Sequence, residues 1–368
     1  KEVDELFIDD IVDMLEELPA IVVKRILRNA TNTTRNQINQ FLNYPENSAG
    51  SIMTAEYVGL KKSFTVQEAI EYIRRNGVDK ETIYTCYVTD AQRRLEGVIT
   101  VKDLLMNQND VLIGDIMDTH VISAITTDDQ EAVVEDFNKY GFICMPVVDH
   151  EKRLVGIVTV DDIVDVMEQE ATEDFEKMAA MVPSEKPYLK TSVIKLASNR
   201  IIWLLVLMVS SMITGGILAR YEQAFAVMPL LVTFIPMLTD TGGNAGSQSS
   251  TLIIRGMAVD EIDLKDAFKV FWKELRISVI LGGILSILNF AKVVFIDHQT
   301  VMIGLTVAVS LLLIIMFAKL LGGLLPMAAK RVGIDPALMA SPMMASLTDM
   351  FSAVAFLLIA SLFLGISL

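Results

Sequence analysis

Residues 229–254 read PLLVTFIPMLTDTGGNAGSQSSTLII. An apolar run of this length suits a bilayer span, yet it holds two prolines, an aspartate and a glycine-asparagine turn that predict a broken helix. Hydrocarbon offers backbone groups no hydrogen-bond partners, so a broken helix carrying Asp240 and Asn244 is tolerable only where it faces water or ions. The stretch is therefore the first candidate for a permeation path.

Around it, hydropathy gives five spans, at about residues 199–219, 224–254, 275–296, 301–330 and 336–366. Arg255, Lys265, Lys269, Lys273, Arg276, Lys330 and Arg331 fall in the loops after spans two and four, whereas the opposite loops hold little beyond Arg220 and Lys292. The positive-inside rule then expects a cytoplasmic N-terminus and an external C-terminus. Asp240 and Asp349 are the carboxylates set deep in spans, with Lys319 and Asp335 nearer ends or bends. Asp349 comes about twelve residues into span five, roughly 18 Å along a helix, which is near mid-bilayer. Lys319 is the only basic residue far enough inside to pair with it. The alternatives are that salt bridge or, as preferred, a hydrated pore in which a cation supplies the missing charge.

The other half of the chain differs in kind. Residues 1–190 carry 36 acids against 19 Lys and Arg, and residues 191–368 carry 10 against 12. With no signal peptide in front of it, the acidic half is expected to stay cytoplasmic. Its charge repels nucleic acid and attracts divalent cations. Cys86 and Cys144 lie in apolar strand-like runs without C-x-x-C spacing, as small buried residues in a reducing compartment do. Residues 4–43 read as short helices with a break near Pro19, and the chain opens inside an amphipathic pattern, so a preceding segment is expected. Asp9, Asp10, Asp13, Glu16 and Glu17 read most simply as a solvated face.

An internal repeat of about sixty residues follows. SIMTAEYVGL is echoed by DIMDTHVISA, VQEAIEYIRRNG by QEAVVEDFNKYG, CYVTD by MPVVD, and GVITVKDLL by GIVTVDDIV. Each copy predicts strand, helix, strand, strand, helix. The pair resembles a tandem of cystathionine-beta-synthase (CBS) domains over roughly residues 50–168. That resemblance implies a cleft for an adenine nucleotide such as ATP, with Lys102, Asp103, Thr159 and Asp162 as its candidate contacts. Read without it, Thr100 with Asp103 and Thr159 with Asp162 simply cap the helices that follow.

Residues 161–178, DDIVDVMEQEATEDFEKM, hold eight acids and Lys177 as the only cation. A solvated linker helix would tolerate that charge. The preferred reading is a helix that hard, oxygen-loving cations hold against another acidic surface.

The order of acidic helices, CBS pair, acidic helix and five spans resembles the MgtE family of magnesium channels, as do IPMLTDTGGNAGSQSSTLIIRG and DPALMASPMMASLTD. The resemblance implies a multidomain membrane protein with these parts: an α-helical N-terminal remnant (1–48), an α/β CBS pair (49–110 and 111–168), an acidic plug helix (161–195) and an all-α five-helix pore domain (196–368). It implies a homodimer in the plasma membrane in which Asp349 binds hydrated Mg²⁺, Ala345 adds a carbonyl, Asn244, Gly242 and Gly243 line the pore, and Asp335 sits near the inner mouth. It further implies regulatory Mg²⁺ ligands at Asp129, Glu131, Asp162, Asp165, Glu170, Glu173 and Asp174, with Asp10 added by position alone. No family role attaches to Asp240. Two rival functions are a membrane-anchored nucleotide or Mg²⁺ sensor without transport and a gradient-coupled divalent-cation exchanger. An enzyme is not expected, because His120, His150 and His298 are scattered and no nucleophile-base spacing or phosphate loop occurs.

Overall fold

A computed structural model describes residues 11–12, 14–15, 18, 20–184, 187–222, 226 and 228–365. The chain divides into two compact units, Lys1–Glu170 and Ala171–Leu368.

The first unit opens with α1 (Ala20–Asn29) and α2 (Asn32–Phe41), the latter capped by the Thr31 hydroxyl. Ile11, Leu15, Ile38 and Phe41 are buried together with Ala49, Met53, Val133, Phe137 and Val158, so the helical segment shares a core with the second repeat. Asp10, with Asp9, Asp13, Glu16, Glu17 and the expected break at Pro19, lies outside the described residues.

The first copy runs β1 (Gly59–Leu60), α3 (Val66–Asn76), β2 (Thr85–Thr89), β3 (Leu95–Thr100), α4 (Val101–Met106) and a short α5 (Ile113–Ile116). The second runs β4 (Ala124–Ile125), α6 (Gln130–Tyr140), β5 (Cys144–Val148), β6 (Leu154–Thr159) and α7 (Val160–Met178). Each forms a three-stranded sheet in which the first two strands are parallel and the last two antiparallel. The register confirms the repeat: Val88 pairs with Gly97 and Val147 with Gly156, and both hairpins shift register beside these pairs.

The copies also complete each other. Thr54, ahead of the first sheet, exchanges two backbone hydrogen bonds with Ile157 of the second copy (2.7 and 2.8 Å), and Asp118, ahead of the second sheet, does the same with Val98 of the first (2.9 Å each). A Cβ on Gly156 would meet Thr54 O at 2.5 Å, and one on Gly97 would meet Asp118 O at 2.9 Å, so glycine at these places lets the exchanged segments approach. Cys86 and Cys144 are free and buried, as expected. Burial pushes the Cys86 thiol up to about 12, which keeps it unreactive.

The second unit holds α8 (Val193–Arg220), α9 (Ile235–Ala258), α10 (Ala267–Ala291), α11 (Val301–Arg331) and α12 (Ser341–Leu364). Four of its helical segments, Val193–Arg220, Leu264–Ile296, Val301–Arg331 and Pro336–Leu364, are long and apolar enough to cross a membrane. The remaining expected span, the second, corresponds to α9, which has 24 residues but too many hydroxyls, amides and glycines to meet the same measure. It packs against α11 and α12, while α10 packs on α11 and α8 on α12.

The broken second span is corrected by the structure. Pro229 opens a 3₁₀ turn over Pro229–Phe234, Pro236 sits in the first turn of α9, and from there the helix is continuous through Gly242, Gly243 and Asn244. Proline is tolerated in a first turn because its missing N–H has no intrahelical acceptor there. The glycines serve close packing and not a turn. A Cβ on Gly242 would lie 2.5 Å from Ile314 Cγ2 and 2.7 Å from Thr348 Cγ2. Further along, a Cβ on Gly322 of α11 would lie 2.3 Å from Gly246 O, so there the two helices meet backbone to backbone.

That contact generates a prediction. Gly322→Ala forces α9 and α11 apart at an overpacking cost of about 1–3 kcal/mol, whereas Gly283, with open space around its Cβ position, accepts Ala. Thermal unfolding of the detergent-solubilised chain should show a lowered midpoint for the first variant alone.

Candidate functional site

In α9, Thr239, Asp240, Gly243, Asn244 and Ser247 recur at steps of three and four residues and so share one helix face. In α12, Ser341, Ala345 and Asp349 recur every four residues. These two faces flank an open cavity of about 210 Å³ lined by all eight residues, of which Asp240, Asn244 and Ser341 are exposed. The volume accommodates several waters, as an ion that keeps part of its hydration shell requires. At one place the walls touch, with the Ser247 and Ser341 hydroxyls 3.1 Å apart. The α12 helix proper begins at Ser341 after a 3₁₀ turn over Pro336–Met339, which puts Asp349 about 12 Å along it.

The structure thus gathers Asp349, Ala345, Asn244 and Gly243 around one space. It also adds Asp240, Thr239, Ser247 and Ser341, which the sequence reading did not assign. The available signal was the four-residue step, since 240 precedes Asn244 and 341 precedes Ala345 by one helical turn. Asn244 Nδ2 donates to Asp240 Oδ2 across that turn at 3.3 Å.

Lys319 is not the partner of Asp349. Its ammonium donates to Ser249 Oγ of α9 (3.2 Å), whose hydroxyl donates to Glu274 Oε2 of α10 (2.6 Å). All three residues are buried, at 4, 1 and 6% exposure. Glu274 was missed because it follows Lys273 in what reads as a charged loop. Its place on the buried face of α10 shows only in the spacing Val270, Glu274, Ser278, Gly282.

Asp335 lies apart from the cavity. Its Oδ1 accepts the Ala337 N–H (2.8 Å) and caps the 3₁₀ turn, and its Oδ2 takes the Lys177 ammonium at 2.7 Å. The same ammonium pairs with Glu173 one turn back. Burial works against the Lys177 charge, but the hydrogen bonds to Asp335 and Glu173 outweigh it and hold this lysine above its usual value. A raised lysine keeps the contact intact through neutral pH, and the stabilisation is lost only as pH climbs through the folded-state value. Burial, reinforced by the charge of Asp335, raises the Asp174 carboxyl.

The other candidate acids are distributed. Asp129 caps α6 through the Glu131 N–H (2.9 Å), Glu170 Oε1 accepts from Gln130 Nε2 (2.6 Å), and Asp165 is exposed on α7. Asp162 Oδ2 accepts from the Thr159 hydroxyl at 2.6 Å. Asp103 Oδ2 accepts from both the backbone and the hydroxyl of Thr100, a capping box, while Lys102 is exposed beside it. Among the described residues no three His, Cys, Asp or Glu side chains converge as a ready metal cage.

Known proteins share this architecture. The divalent cation transporter profile of MgtE matches residues 235–359, the CBS domain profile matches 49–110 and 113–169, and the MgtE intracellular N domain profile matches 1–47. The magnesium transporter MgtE of Thermus thermophilus is 39% identical over 361 residues, covering 97% of this chain and 80% of the relative. That of Bacillus subtilis is 33% identical, covering 97% and 78%. Among solved structures, the cytosolic domain of the Mg²⁺ channel MgtE in complex with ATP is 40% identical over 45% of this chain and 67% of that one, with a TM-score of 0.43.

The Lys177 contact can be tested directly. Lys177→Met leaves Glu173, Asp174 and Asp335 without an ammonium, so its thermal midpoint should fall in chelator and recover with millimolar Mg²⁺. The wild-type chain should respond less to the same addition.

Proposed function

The chain belongs to the MgtE family of divalent cation transporters, and on that premise we propose that it is a homodimeric, Mg²⁺-selective channel that limits its own flux. One observation carries the reading: Asp349 and Asn244, from helices distant in sequence, line one polar, open cavity on a bundle of membrane-length apolar helices. Mg²⁺ sheds water reluctantly and prefers oxygen ligands. A conducting site for it therefore needs few carboxylates, several amide and hydroxyl groups, and room for water, which is the composition of this lining. A twofold axis would double Asp349 into a two-carboxylate ring.

In this reading α9 is the second of five spans, the acidic half is cytoplasmic, the C-terminus is external, and Asp335 stands at the inner mouth. Ions bound by Asp129, Glu131, Asp162, Asp165, Glu170, Glu173 and Asp174, and by Asp10, hold the gate shut when internal Mg²⁺ is plentiful. Carboxylate repulsion loosens it when Mg²⁺ falls. The pairing of Asp335 with Lys177 of the acidic helix supports this view, since it joins the proposed mouth to the proposed plug through a positive charge.

An adenine nucleotide is the proposed ligand of the CBS pair, as in the relative solved with ATP. Capping occupies only one oxygen of Asp103, which leaves the other to accept from ribose hydroxyls. Thr159 and Asp162 at the start of α7, and Lys102 as a cation for phosphate, complete the candidate set.

Asp349→Ala should abolish Mg²⁺ uptake by proteoliposomes, and uptake at the wild-type rate would defeat the pore assignment. Neutralising Asp162, Asp165 and Glu173 together should yield currents that high internal Mg²⁺ no longer suppresses. Suppression that persists in that variant would defeat the sensor.

A further inference from the structure

We propose that Asp240 is a second ion-contacting carboxylate of the conduction site, one that sets its affinity and its preference for divalent over monovalent cations. The inference rests on the channel reading above and concerns the same cavity. Asp240 lines that cavity from α9 while Asp349 lines it from α12.

Among the carboxylates set within the long helices α9, α10 and α12, namely Asp240, Glu274 and Asp349, charge accounting singles out the first and last. Lys319, the deep basic side chain, is committed through Ser249 to Glu274, which makes that buried group neutral as a whole. Among the described residues no Lys, Arg or His lies within 4.0 Å of Asp240 or Asp349, although nine such ion pairs occur elsewhere. A carboxylate at membrane depth without a partner is costly, and two around one cavity are costlier. A mobile cation in the cavity offsets both.

The local hydrogen bonding points the same way. The Asn244 amide reaches Asp240 at 3.3 Å, a long contact beside the 2.6 Å bond that Ser249 makes to Glu274. An ionised carboxylate has about four acceptor positions, so most of the capacity of Asp240 is left for water or for water bound to an ion. A cavity holding two carboxylates is neutralised by one divalent ion but requires two monovalent ions in the same space, whose mutual repulsion disfavours them. In the proposed dimer Asp240 forms a second carboxylate pair beside that of Asp349. Two adjacent positions let an arriving ion displace the one ahead of it, so strong binding and conduction become compatible.

The test uses the full chain reconstituted in liposomes, with Mg²⁺ influx measured over a range of external Mg²⁺ and, separately, K⁺ leak in its absence. Asp240→Asn should raise the half-saturating Mg²⁺ concentration about tenfold and admit K⁺, while Asp240→Glu should restore both properties. A merely structural role would move thermal stability but not the split between affinity and maximal flux. Wild-type affinity and K⁺ exclusion in Asp240→Asn would overturn the proposal. Should that variant elute as aggregate, Asp240→Ser is judged by the same two readouts. Normal uptake by Asp349→Asn would instead overturn the channel reading itself, which keeps the two failures apart.

Discussion

Hydrocarbon solvates neither a charge nor an unpaired peptide group, and the second unit of this chain is arranged around that constraint. Its backbone groups are satisfied inside continuous helices, including the polar α9, whose prolines are confined to first turns. Its deep charges fall into two classes. Glu274 and Lys319 neutralise each other through Ser249 in the packed interior, where an orphaned partner would cost about 3–5 kcal/mol. Among the described residues Asp240 and Asp349 have no such ion-pair compensation, and they face a cavity. The same helix bundle therefore holds one group of charges that must stay dry and another that must stay wet.

Small residues make the separation possible. Gly246 and Gly322 let α9 approach α11 to backbone distance and Gly242 lets Thr348 of α12 close against it, so the small-residue face of α9 is buried while Asp240, Asn244 and Gln248 stay exposed. Larger residues at these positions would hold the helices apart and admit lipid tails to hydroxyls and amides that need better partners.

Much of this was legible in the sequence. The repeat, its strand and helix order and four of the five long helices follow from periodicity and hydropathy, because those signals sum over many residues. Asp349, Asn244, Ala345 and Gly243 were each recognisable from motifs in their spans, and the cavity brings them together. What escaped reading depended on partners distant in the chain. Gly242 and Gly243 look like turn residues until Ile314 and Thr348 are placed beside the first and Ala345 beside the second. Glu274 looks like a loop charge until Ser249 reaches it. Lys177 looks like a lone cation in an acidic helix until Asp335, far along the chain, arrives against it. In each case local pattern gives the residue's type and tertiary contact gives its role.

The exchanged segments of the CBS pair bear on modularity. Thr54 completes the strand edge at Ile157, and Asp118 completes the one at Val98, so each copy lends the other a piece of backbone. A cut between the copies would leave Val98 and Ile157 each with an N–H and a C=O deprived of their partners. The repeat boundary near residue 110 divides the sequence without dividing a fold. The two copies form a single inheritable part, to be transplanted, truncated or duplicated only as a pair.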